Sequence, residues 1–175
     1  MTDMTNISLN STWPCPQNTS IISSSSIPIS HICAQNDLKL TGSSHSDLTV
    51  DFSIITPQTT SIVASGNSFI PNVCGISRLT ISASNTATVS INSTCLCPIF
   101  TTINSSSSIP ISHICAQNTL QLNSQNTSNL IVDSSTNCPQ ITNVIALQNS
   151  SILNLCSSSQ LIIQASDISD VSLNY

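Results

Sequence analysis

The chain has 175 residues and a net charge of −5, with two basic residues, Lys39 and Arg78, seven acidic residues that are all Asp, and 3% aromatics. So few cations exclude the basic footprint that nucleic acid requires, and the net charge repels phosphate. With so few charges, solubility falls to Ser, Thr, Asn and Gln, and no apolar run reaches the roughly 18 residues of a membrane helix.

Met1 to Pro14 is polar and lacks the basic start and apolar stretch of a signal peptide. Its stretch from Asn6 to Pro16 aligns without a gap with Thr88 to Pro98, so the chain opens part-way through a repeat unit. The same point of a unit is reached again at Val171 to Tyr175. Solenoids that remain single carry polar capping repeats. None is visible here, which predicts either a segment of a longer array or head-to-tail stacking that does not close.

From Cys15 onward the chain repeats without insertion. Ser23 to Asn36 returns as Ser105 to Asn118, which sets an 82-residue super-repeat, and Cys15 to Ile22 is echoed by Thr56 to Val63, which halves it. Each 41-residue block divides unevenly into an 18-residue and a 23-residue unit, so that units begin at Cys15, Cys33, Thr56, Cys74, Cys97, Cys115, Cys138 and Cys156. The expected organisation is one continuous repeat domain: a partial unit over 1–14, then repeats over 15–55, 56–96, 97–137 and 138–175.

Within each unit, apolar residues form two short clusters between polar turns. The first short unit has Ile21 and then Ile29/Ile32; the long unit after it has Leu38/Leu40 and then Leu48/Val50. Ile- and Val-rich pairs bounded by Ser, Asn and Gly predict short half-buried strands. Two strands in each unit, eight times over, predict an all-β fold: a β-solenoid of about eight stacked 18- and 23-residue coils, about 4.8 Å apart. A four-bladed β-propeller or a stack of β-sandwiches are the alternatives. They rank lower because propeller blades have no reason to resemble each other by halves and usually fill their wedges with aromatics.

Equivalent positions in adjacent coils lie within disulfide reach. The spacing predicts Cys15–Cys33, Cys97–Cys115 and Cys138–Cys156. Thr56 replaces the cysteine that Cys74 needs, so Cys74 is expected to pair with Cys95, one set among the 105 connectivities that eight cysteines allow. The rival is a zinc site built on Cys95, Cys97 and the neighbours His31/Cys33 and His113/Cys115, but the spacings do not fit, and the histidines become Asn72 and Asn154 in the other repeats. No metal or cofactor is expected.

Sequons begin at Asn6, Asn10, Asn18, Asn92, Asn104, Asn126 and Asn149, which suit a glycosylated exterior protein, although a chain this rich in Asn, Ser and Thr carries such triplets by chance. Catalysis has little support. Asp47/Asp51 and Asp167/Asp170 are the closest carboxylate pairs, Asp51 recurs as Asp133, and the neighbours His45, Ser46 and Asp47 have triad types without a nucleophile elbow.

Disulfides imply an oxidising place, extracellular or on a cell or virion surface. Strand-rich sequence without charged guards favours edge pairing. The expectation is therefore a noncatalytic, self-assembling structural protein whose partner is itself, with Gln17, Gln35, Gln58, Gln117 and Gln140 as candidate amide ladders. A hydroxyl-rich binding face for ice or glycans is the alternative, with the Ser runs at 23–26 and 105–108 read as turns.

Overall fold

The computed structural model describes residues 7–8, 14–51, 55–133 and 138–174. In chain order the strands are β1 (Ile7–Ser8), β2 (Asn18–Ser23), β3 (Ile29–Ile32), β4 (Asp37–Gly42), β5 (Leu48–Val50), β6 (Thr59–Ala64), β7 (Phe69–Val73), β8 (Arg78–Asn85) and β9 (Thr88–Ile91). They continue as β10 (Phe100–Ser107), β11 (Ile111–Ile114), β12 (Thr119–Ser124), β13 (Asn129–Val132), β14 (Ile141–Ala146), β15 (Ser151–Leu155), β16 (Gln160–Ala165) and β17 (Asp170–Leu173). The even-numbered strands form one eight-stranded sheet in sequence order, with β2 and β16 at its edges. The odd-numbered strands stack opposite it in three stretches: β1 to β5, β7 with β9, and β11 to β17.

The described strand pairs are parallel, each strand lying beside its counterpart one coil away. Propellers and sandwiches need antiparallel neighbours, so parallel stacking sets both aside. The fold is a β-solenoid of eight two-strand coils, a rod on the order of 40 Å long at one strand spacing per coil. Among the described residues no helix is long and apolar enough to cross a membrane.

Alternation along each strand fills the narrow interior. On the eight-stranded sheet, Leu38, Leu79 and Leu120 form one inward row together with Thr60, Thr101 and Thr142, and Leu40, Ile62, Ile81, Ile103, Leu122 and Val144 form the next. The third row is small, with Gly42, Ala64, Ala83, Ser105, Ser124 and Ala146, all buried. A Cβ built on Gly42 would come within 2.7 Å of Ser46 Oγ, which explains the glycine.

The short coils contain a bulge. Ile29 pairs with Leu48 and Ile32 with Val50, so two residues of β3 oppose one of β5; β7, β11 and β15 repeat this irregularity. His31, Asn72, His113 and Asn154 take the left-handed conformation there, with φ of 58, 58, 58 and 62°. The bulge turns apolar residues three apart onto one face, which is why Ile29/Ile32 and Ile70/Val73 do not show the alternation of the long coils. Strand register and cysteine spacing differ slightly, because the first strand of a long coil starts four positions after its cysteine and that of a short coil three: the first-sheet partners run from Asn18 to Asp37 to Thr59, while the unit starts run from Cys15 to Cys33 to Thr56.

Prolines stand at both breaks in the second stack. Pro71 stands in β7 where Leu153 of β15 pairs with Ile131, and Pro110 stands where Phe69 and Ser151 donate backbone N–H to the preceding coil. Proline has no N–H to give, which leaves each of these two steps a ladder bond short, although Pro28, the counterpart of Pro110, still leaves β1 paired with β3.

One expectation about the turns is corrected. Ser23 ends β2 and the run after it turns, but Ser105 to Ser107 continue β10. The reason is the neighbour: β8 extends to Asn85 and pairs with β10 as far as Ser107, whereas β2 is an edge strand of its sheet among the described residues. Ser107 is fully buried, and its hydroxyl donates to the Ala87 carbonyl at 2.8 Å.

Candidate functional site

The residues that distinguish this rod from a bare stack lie at three places: the cysteine corner, the bulge column and the free sheet edge. At the corner, disulfides join Cys15 to Cys33, Cys74 to Cys95, Cys97 to Cys115 and Cys138 to Cys156, with Cα separations of 5.5, 6.1, 5.3 and 5.3 Å. Three of them tie the start of one coil to the start of the next. Cys95 and Cys97 belong to different bridges, so neither offers a thiolate to a metal.

The same corner holds a row of hydrogen bonds. Thr19, Thr101 and Thr142 donate their hydroxyls to the carbonyls of Cys33, Cys115 and Cys156 at 2.6, 2.6 and 2.9 Å, and Thr60 does so to Cys74. A buried carbonyl at a tight corner has no ladder partner, and an unmet one is costly. That requirement explains why short coils carry Thr where long coils carry Leu.

The glutamines do not ladder with one another as expected. Gln35 and Gln117 donate to the Cys15 and Cys97 carbonyls, both at 2.6 Å, while Gln17 and Gln58 accept from Asn36 and Ser77. Each of these amides meets a main-chain carbonyl or a small polar side chain of an adjacent coil instead of another glutamine. Gln140 contributes its main-chain carbonyl, which accepts from the N–H groups of Ser159 and Gln160 and from the Ser157 hydroxyl.

At the bulges, His31 Nδ1 lies 3.4 Å from Asp51 Oδ2, with the imidazole about half exposed. The sequence repeats this relationship with matched substitutions: at the same offset Asn72 is followed by Asn92, His113 by Asp133, and Asn154 by Asn174. A His goes with Asp and an Asn with Asn. Taken one at a time these positions give no sign of the matching, although the constant offset carries it.

The remaining candidates are dispersed. His45 points outward, 3.4 Å from the Asn67 amide, while Ser46 is buried and Asp47 half-buried, so these neighbours do not converge. Among the sequons, Asn18 and Asn104 are exposed on strands, Asn126 and Asn149 are exposed at turns, and Asn92 Oδ1 accepts from the N–H and hydroxyl of Thr94. Asn6 and Asn10 lie outside the described residues. Asp167 sits in a turn with φ of 59°, and Asp170 opens β17.

At the edge, β16 has no neighbour beyond it among the described residues, and its Leu161 and Ile163 are each 37% exposed. Their counterparts Leu38/Leu40, Leu79/Ile81 and Leu120/Leu122 are all buried. No family model, curated protein or solved structure matches the chain. Function must therefore be read from these features alone.

Proposed function

We propose that this is a noncatalytic structural protein of an oxidising exterior, extracellular or on a cell or virion surface, that assembles with copies of itself by end-to-end β-stacking into disulfide-riveted filaments, a sheath or a coat. The observation that carries this reading is the β16 edge. Among the described residues it presents a row of backbone groups with no neighbouring strand and two core-type side chains, Leu161 and Ile163, without the Lys, Pro or inward charge with which sheet edges are usually guarded.

The four disulfides support both halves of the proposal. They point to an oxidising environment. They also stiffen a rod whose core is thin, each contributing about 3 kcal/mol on a chain-entropy model.

A regular binding lattice has less support. The outward face of the eight-stranded sheet mixes Lys39, exposed Ile22 and Val63, and Arg78, whose guanidinium lies 5.8 Å over the Phe100 ring, among its Ser, Thr and Asn residues. Such variety does not make the ranked hydroxyls that ice would match.

The test is the double variant Leu161→Lys/Ile163→Lys. Sedimentation of the oxidised protein should show assemblies for the unsubstituted chain and their loss in the variant, with the far-UV spectrum retained. Equal sedimentation of the two would remove the β16 edge from the reading.

A further inference from the structure

The two faces of the rod carry unequal numbers of strands. Among the described residues there are eight on one face and nine on the other, the extra one being β1. β1 pairs with β3, Ile7 beside Ile29 and Ser8 beside Ser30. That register is the one by which a long coil's strand meets the next short coil, as Leu130 meets Ile152.

Ile7 is displaced from Val171 by two whole super-repeats, and Ile7-Ser8-Leu9-Asn10 matches Val171-Ser172-Leu173-Asn174 in residue type throughout. β1 and β17 are thus versions of one strand. If a second copy stacked on the first in the register of the solenoid, β16 would run beside β2, with Leu161 against Thr19 and Ile163 against Ile21. On the other face, Val171 would fall beside Ile29. Ile7 already occupies that slot.

We infer that β1 is an internal stand-in for β17 that regulates assembly, and that each junction forms only when β17 of one copy displaces β1 of the next. This rests on the self-assembly reading. The energetics follow from the strand count. On the nine-strand face a junction exchanges one strand for its equivalent and gains little, so the drive must come from β16 joining β2. There it satisfies two sheet edges and covers Leu161 and Ile163. Leu173, 38% exposed where its counterparts Val50, Ile91 and Val132 are buried, is covered in the same event. Because β1 must leave first, assembly of the intact chain is slowed and needs more protein, as for any binding surface that is only fractionally available.

The experiment compares three full-length, oxidised proteins by sedimentation and electron microscopy over a concentration series. Ile7→Pro/Ser8→Pro removes the N–H groups of β1. Ser8→Cys/Ser30→Cys places a crosslink between two residues paired across β1 and β3. The proline variant should assemble at a roughly tenfold lower concentration than the unsubstituted chain and without its lag, while the crosslinked variant should not assemble where the unsubstituted chain does.

Filaments from all three at one concentration would overturn the role of β1 and leave self-assembly standing. No filaments from any of them would overturn both. Should the proline variant fail to fold, the crosslinked variant decides: assembly equal to that of the unsubstituted chain refutes the inference.

Discussion

Thr101 Oγ1 donates to the carbonyl of Cys115 at 2.6 Å from a side chain that is 1% exposed. The bond joins the first strand of a short coil to the first residue of the next coil, at the point where a disulfide also ties Cys115 back to Cys97. Bridge and hydrogen bond act on the same corner, one covalently and one by satisfying the carbonyl that the corner leaves without a ladder partner.

Thr101→Val keeps the shape and removes the donor. With the Cys115 carbonyl left buried and unmet, a loss of about 1–3 kcal/mol is expected, read as a lower denaturant midpoint at unchanged slope. Thr102→Val, at the next position and facing outward, should change stability by less than about 0.5 kcal/mol.

Gly42 and Ser46 form a coupled pair. A methyl at Gly42 meets Ser46 Oγ at 2.7 Å, Ser68 Cβ at 3.2 Å and Ile70 Cδ1 at 3.3 Å. Gly42→Ala should therefore destabilise by about 1–3 kcal/mol. Ser46 Oγ is buried without a hydrogen-bond partner among the described residues, so Ser46→Ala should be neutral or stabilising and should recover part of the loss in the double variant. Strictly additive effects in thermal unfolding would contradict this.

The bulge positions need residues that tolerate a left-handed backbone. His31→Asn copies what Asn72 does at φ of 58° and should be nearly neutral, the exposed contact with Asp51 contributing no more than about 1 kcal/mol. His31→Val should lose about 1–2 kcal/mol from the backbone alone. Equal midpoints for the two variants would mean that the bulge is not required.

Removing one bridge by Cys97→Ser/Cys115→Ser opens an 18-residue loop and should lower stability by about 3 kcal/mol. Calorimetry of the oxidised variant against the intact chain measures it. A change below about 1 kcal/mol would mean that the stacked ladder alone fixes the corner.

The parallel stack was legible because Leu38/Leu40 and Leu48/Val50 alternate with polar residues and recur at one spacing, leaving few other ways to bury them. The wider spacing of Ile29/Ile32 carried a further message, a bulge, that apolar counting does not decode; it depends on His31 leaving the extended conformation. Thr60, Thr101 and Thr142 looked like ordinary strand residues because their role is set by the carbonyls of Cys74, Cys115 and Cys156, which belong to the next coil. Ser23 and Ser105 begin identical runs, yet one turns and the other extends. What differs is the strand in the preceding coil, which is information in the stack rather than in the run.

End-to-end assembly is read by electron microscopy of the purified, oxidised protein across concentration, with and without reducing agent. Unbranched filaments of constant width are expected, with an axial repeat at a multiple of about 4.8 Å, weakened when the disulfides are reduced. Monodisperse rods on the order of 40 Å long at every concentration would contradict it.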